Sequence, residues 1–236
     1  METFIKFKKR ISEFENDNFS FNTSEICQNQ SLRNKVNEDK SFKPFYGDTI
    51  VFDLSTNIKL KIEKIVDQLY LNCGSLFAER LKTNTFHMTL HDLNNNTDLS
   101  IISSDCFLSE LKCFEIAKST SINTDKINLK SNFIFNMVNT SLVLGLIPET
   151  EEDFNKLIML YDKFESVIVL PYPFTPHITL GYFSYENHKE EDIKKLYELL
   201  KKLNKRTIHF SISTNDLFYQ KFTNMNNYES LFKFTS

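Results

Sequence analysis

The chain has 236 residues, of which 41% are apolar and 25% charged, with a formal net charge of −3. That length is enough to bury a core as one large domain or two small lobes, and the charge argues against the dense basic face that non-specific binding of long nucleic acid requires. No apolar run reaches the ~18 residues of a membrane span and no cationic-then-apolar leader opens the chain, so a membrane segment and a signal peptide are not expected and the reading is cytoplasmic.

Residues 1–44 are polar and mixed in charge, with a basic patch at Lys6–Arg10. Phe4, Phe7 and Ile11 fall at helical spacing, so a short amphipathic helix is expected, followed by irregular chain. This segment reads as an N-terminal extension, partly helical or flexible, and not as an autonomous domain. Cys27, Cys73, Cys106 and Cys113 form no CxxC pair and are expected to be reduced structural thiols.

Ordered architecture is expected to begin near Phe45-Tyr46-Gly47. Thr49–Leu54 alternates and is rich in β-branched and aromatic residues, a strand. Ile58, Ile62, Ile65, Val66 and Leu69 make a helical stripe that packs on a sheet. A strand over 85–91 follows, closed by an Asn-rich loop at 94–97. Leu99–Lys118 is expected to be helical. Lys126–Val138 and Ser141–Ile147 read as strands joined by a hairpin at Asn139-Thr140, with Pro148 ending the second. Thr150 with Asp153 resembles an N-terminal capping pair for the next helix, whose stripe is Phe154, Leu157, Ile158, Tyr161 and Phe164. After a strand at 177–182, a Lys/Glu-rich helix at 189–203 is expected, with its charges on a solvated face. Arg206–Ile212 and Leu217–Phe222 read as the closing strands.

Two of these strands carry the same device. Phe86-His87-Met88-Thr89-Leu90 is echoed by Pro176-His177-Ile178-Thr179-Leu180. On a strand, residues two apart share a face, so each copy presents an imidazole beside a hydroxyl. The order strand, helix, His-x-Thr also repeats, with 37 residues from Ile50 to His87 and 35 from Leu142 to His177. A single His-x-Thr arises readily by chance. Two in matching contexts point to a duplicated, pseudo-two-fold structure. Two imidazoles can divide the roles of general base and general acid near neutral pH. A hydroxyl beside each can donate to a phosphate oxygen.

On these motifs the chain resembles the 2H phosphoesterases over roughly residues 45–222, and Phe45–Phe52 resembles the first strand of some bacterial members. The resemblance implies an α+β fold: a bilobal pseudo-two-fold arrangement of antiparallel sheets flanked by helices around a central cleft, here as a single domain over 45–236. It implies metal-independent phosphodiester chemistry with no cofactor, with His87 and His177 as acid and base and Thr89 and Thr179 on the phosphate. Its known members act on 2′,3′-cyclic phosphates, 2′–5′ linkages, RNA ends or cyclic oligonucleotides. The expected function is a phosphodiesterase hydrolysing a small or terminal nucleotide phosphodiester, most simply a 2′,3′-cyclic phosphate, as a monomer without an obligate protein partner. Alternatives are a binding module for a nucleotide or RNA end, an RNA 2′–5′ ligase, and an interaction protein.

Four further residues are candidates for the substrate rim. His91 and Phe183 share the face of their His-x-Thr pair if the alternation continues, while Tyr182 then belongs to the core. Gly181, the counterpart of His91, then leaves room beside His177. Tyr46 and Tyr172 are candidates by proximity to the motifs. His87 and His91 are four apart, a metal-ligand spacing on a helix, but the alternation favours strand.

Overall fold

The computed structural model describes residues 2–15, 21–119, 126–186 and 188–234. Among these residues, eight strands form two four-stranded antiparallel sheets. The first has the order β2-β1-β7-β8 and the second β5-β4-β3-β6. The strands are β1 (Tyr46–Asp53), β2 (His87–Asn96), β3 (Ile127–Met137), β4 (Ser141–Pro148), β5 (His177–Tyr182), β6 (His209–Ile212), β7 (Leu217–Asn224) and β8 (Asn227–Lys233). Each sheet therefore ends on an edge strand that begins with a motif histidine, and those two edges, β2 and β5, lie against each other.

The helices follow the expected stripes. Thr56–Cys73 is α4, Leu99–Ser119 is α5, Glu151–Phe164 is α6 and Glu190–Leu203 is α7. Helix α4 buries Ile58, Ile62, Val66 and Leu69, and α6 buries Phe154, Leu157, Ile158, Tyr161 and Phe164. The Thr150 hydroxyl accepts the Asp153 amide at 3.1 Å, which caps α6 and satisfies an orphan donor of its first turn. Val138 and Asn139 take positive φ at the hairpin between β3 and β4, the left-handed pair that a twisted two-residue turn needs. Helix α5 keeps Cys106 and Cys113 buried, and burial pushes both thiols up to about 12. All four cysteines are free.

Three details differ from the sequence reading. The Asn-rich stretch is strand and not loop. β2 continues to Asn96, because Asp48 on β1 accepts the Asn94 backbone amide at 2.8 Å and Asn95 and Asn96 pair with Gly47 and Tyr46. A strand that alternation did not reveal, β8, pairs with β7 at the end of the chain. And in the N-terminal segment the expected helix, α1 (Phe4–Ser12), is followed not by irregular chain alone but by α2 (Thr23–Gln28) and α3 (Gln30–Arg33). Their Phe7, Ile11, Ile26 and Leu32, with Val36 and Phe42 beyond them, belong to the same buried apolar cluster as both sheets. The first forty residues thus contribute core side chains, which a reading of their polar average composition could not show.

Candidate active site

The two halves repeat down to a bulge. Ile50 and Val51 are consecutive, yet they pair with His91 and Thr89, so Leu90 is an extra residue in β2. Leu142 and Val143 pair with Gly181 and Thr179, so Leu180 is the extra residue in β5. A bulge of this kind flips the alternation beyond it. Before the bulge, His87, Thr89, His177 and Thr179 are half-buried on the cleft side, with Met88, Leu90, Ile178 and Leu180 in the core.

Beyond the bulge the expected faces exchange. His91 does not sit at a substrate rim. It is 1% exposed, packs 4.9 Å from the Tyr161 ring, and meets the Asp92 carbonyl at 2.7 Å and the Glu165 carboxylate at 3.3 Å. Phe183 is fully buried and stacks on Phe77 at 5.7 Å. Gly181 leaves no room beside His177: a Cβ there would lie 3.1 Å from the Tyr70 hydroxyl and 3.5 Å from Phe77. Register puts Asp92 and Tyr182, each five positions after its histidine, on the face of the motif threonines; Tyr182 is nonetheless buried in the core, as expected, with its ring edge-on to Phe42. Tyr46 is also displaced. It lies at the opposite end of β1 from Asp53, the partner of His87, and seven residues of strand span roughly 23 Å. Tyr172 is half-exposed, and its hydroxyl donates to the Asp92 carboxylate at 3.0 Å.

Both catalytic candidates are held identically. Nδ1 of His87 is 2.7 Å from the Thr85 carbonyl, and Nδ1 of His177 is 2.7 Å from the Thr175 carbonyl. A carbonyl oxygen only accepts, so Nδ1 carries the proton in each ring and a neutral ring keeps its lone pair on Nε2. Burial pushes His87 down to about 4, a shift that the Thr85 carbonyl and the Asp53 carboxylate oppose and the charges of His177 and Lys59 reinforce. Burial also lowers His177, while the Thr175 carbonyl and the Asp92 carboxylate oppose that shift. Each histidine thus has its own neighbouring charge: Lys59, paired to Asp53 at 2.6 Å, beside His87, and Asp92 toward His177.

Three cleft residues escaped the sequence reading. Tyr228 on β8 places its ring edge-on to His87, 5.0 Å away, and burial raises its hydroxyl well above the ordinary range. Lys35 sits over the rings of Phe45 and Tyr182 at 5.1 and 5.5 Å, and burial lowers its ammonium, against the pull of Asp92. Asp92 completes the set. No local pattern marks Lys35 or Tyr228. Asp92 was hidden by the bulge. Arg10 adds a brace: it donates to the Thr175 hydroxyl at 3.0 Å and to the Phe174 carbonyl at 2.9 Å, while a bidentate pair with Glu2 holds it in place. The segment whose carbonyl fixes His177 is therefore tied to α1.

A polar cavity of about 260 Å³ opens beside His87, and another of about 370 Å³, walled by apolar residues together with Glu2, Asp162, Glu165 and Tyr172, has neither motif histidine in its lining. The polar cavity is the one that bears on the chemistry, because a motif histidine lines it. Among the described residues no group of three or more His, Cys, Asp or Glu is placed to hold a metal ion, and no helix is long and apolar enough to cross a membrane.

No family model and no curated protein sequence matches the chain. Solved structures do. A conserved protein of unknown function from Agrobacterium tumefaciens str. C58 is similar with a TM-score of 0.69 at 15% identity, over 96% of this chain and 99% of that one. Escherichia coli LigT, solved in complex with 3′-AMP, is similar with a TM-score of 0.50 at 14% identity, over 80% of this chain and 97% of that one. A protein of Thermus thermophilus gives a TM-score of 0.50 at 10% identity, over 79% and 95%. Two antiparallel four-stranded sheets flanked by helices, in an arrangement that resembles LigT, are therefore the fold of this chain.

Proposed function

We propose that this chain is a 2H-type phosphodiesterase that hydrolyses a small or terminal nucleotide phosphodiester, most simply a 2′,3′-cyclic phosphate, without a metal ion. The observation that carries the reading is the pair of His-x-Thr motifs at the starts of two facing edge strands, with both imidazoles locked in the same tautomer. The LigT fold, seen in that protein with a 3′-phosphorylated nucleoside, supports a nucleotide as the substrate class.

The Thr89 and Thr179 hydroxyls donate to the non-bridging phosphate oxygens and hold phosphorus between the two Nε2 atoms. Nε2 of one imidazole takes a proton from water as the water oxygen bonds to phosphorus. The bond from phosphorus to one ribose oxygen breaks, and the other imidazole returns a proton to that oxygen. His87 suits the base role because burial keeps it neutral, and His177 suits the acid role because Asp92 favours its protonated form. A bound phosphate anion favours that protonated form further. Lys35 supplies a cation to the same cleft.

The test is turnover of a panel of 2′,3′-cyclic mononucleotides, 2′–5′ dinucleotides and cyclic oligonucleotides, with and without EDTA. Hydrolysis of at least one class at an EDTA-independent rate is expected. Loss of all turnover in EDTA, restored by a divalent metal, would overturn the two-histidine mechanism.

A further inference from the structure

The cleft face of the first sheet continues past the histidine. Asp53, Val51 and Thr49 on β1 share the face of His87 and Thr89, and register carries that face across to Phe218 and Gln220 on β7, then to Ser230 and Tyr228 on β8. The cavity of about 260 Å³ lies on this face. Apart from Tyr228 its wall is polar: Asp53, Lys59, Asn84, Gln220, Asn227 and Ser230 contribute, together with His87 itself.

Gln220 is the unusual member. It is 8% exposed, and its Nε2 donates to the Ser230 hydroxyl at 2.9 Å. Its Oε1 is buried and has no hydrogen-bond partner among the described residues. Turning the amide over does not remove the problem, because the Ser230 hydroxyl would then satisfy the oxygen and leave the NH2 unpaired. A buried amide end without a partner keeps the full cost of its desolvation, and such groups in native proteins are rare.

Resting on the phosphodiesterase reading above, we propose that this cavity is a nucleobase subsite. It receives the base of the nucleotide whose phosphate lies between His87 and His177, and Gln220 pairs with the hydrogen-bonding edge of that base. Its size fits: it is slightly smaller than the roughly 300 Å³ at which pockets for drug-sized ligands begin, room for one ring system and not for a dinucleotide. Its chemistry fits as well, since side-chain amides offer a donor and an acceptor side by side, the pattern that base edges present. Of the two lysines in the wall, Lys59 is already paired with Asp53 and the Asn84 carbonyl, while Lys82 is exposed at its edge.

The experiment titrates the four nucleoside 3′-monophosphates and base-free ribose 3-phosphate into the wild type, Gln220→Leu and Asn84→Ala, following Kd by calorimetry and fold by thermal melting. Asn84 is exposed, so its variant keeps the proposal testable if Gln220→Leu does not fold. Expected is a preference of at least about tenfold among the bases in the wild type, the scale of one or two hydrogen bonds. Gln220→Leu should weaken the preferred nucleotide about tenfold or more and erase the preference, and Asn84→Ala should weaken it about threefold. Ribose 3-phosphate should be unaffected in both. Equal weakening of ribose 3-phosphate would assign the cavity to the sugar and overturn the proposal. So would unchanged Kd values in every folded variant, or no binding of any nucleotide to the wild type. Because binding is read without turnover, a protein that shows the expected affinities but hydrolyses none of the panel sinks the phosphodiesterase reading and leaves the base subsite standing.

Discussion

His87 and His177 make the same hydrogen bond: each Nδ1 lies 2.7 Å from the carbonyl of the threonine two residues earlier, Thr85 and Thr175. The repeated unit is therefore Thr-x-His-x-Thr-Leu, in which the first Thr orients the ring through its backbone and the Leu is the bulge. A ring oriented in this way offers Nε2 for proton transfer without searching for its tautomer.

If both rings transfer protons, His87→Ala and His177→Ala should each reduce kcat by at least about two orders of magnitude on whichever cyclic nucleotide the wild type hydrolyses. Steady-state rates with melting temperatures within a few degrees of the wild type check this. Retained activity in either variant would remove that histidine from the mechanism.

The pH dependence follows from the two shifts. A base must be deprotonated, so activity rises as pH increases through the His87 value near 4. An acid must be protonated, so activity falls as pH rises through the His177 value, which burial holds below the ordinary 6.5. The kcat/KM profile of the free enzyme should peak on the acidic side of that ordinary value. In Asp92→Asn, the charge that supports protonated His177 is gone. The descending limb should then move to lower pH while the ascending limb stays in place. An unchanged descending limb would rule out Asp92 as the partner of the acid.

Residues 1–44 should not be removable. Phe7, Ile11, Ile26, Leu32, Val36 and Phe42 are buried in the common core. At about 1.5–3 kcal/mol for each buried apolar side chain they contribute roughly 9–18 kcal/mol, comparable with the whole stability of about 5–15 kcal/mol that a domain has. A truncated chain that begins at Phe45 should be insoluble or molten by far-UV and near-UV circular dichroism. A soluble, cooperatively melting fragment would show instead that the segment is separable.

The motif pair, the strand–helix–strand order and the two-fold repetition are legible in the sequence because they depend on local alternation and spacing, which the chain carries residue by residue. For the same reason the stripes of α4 and α6 match the faces those helices bury. The rim is not legible, because the alternation argument assumes an unbroken strand. Bulges at Leu90 and Leu180 reverse the faces beyond them, burying His91 and Phe183 and turning Asp92 outward. Nothing local announces a bulge; it is set by register against β1 and β4. Lys35, Tyr228 and Gln220 lie farther still from the motifs in sequence. They reach the cleft because the N-terminal segment packs into the common core and because β7 and β8 extend the sheet of His87. The linear chain alone is enough to single out His87, Thr89, His177 and Thr179 and to assign each a strand. Their surroundings emerge on folding, when strand pairing and core packing bring together residues as distant as His87 and Tyr228.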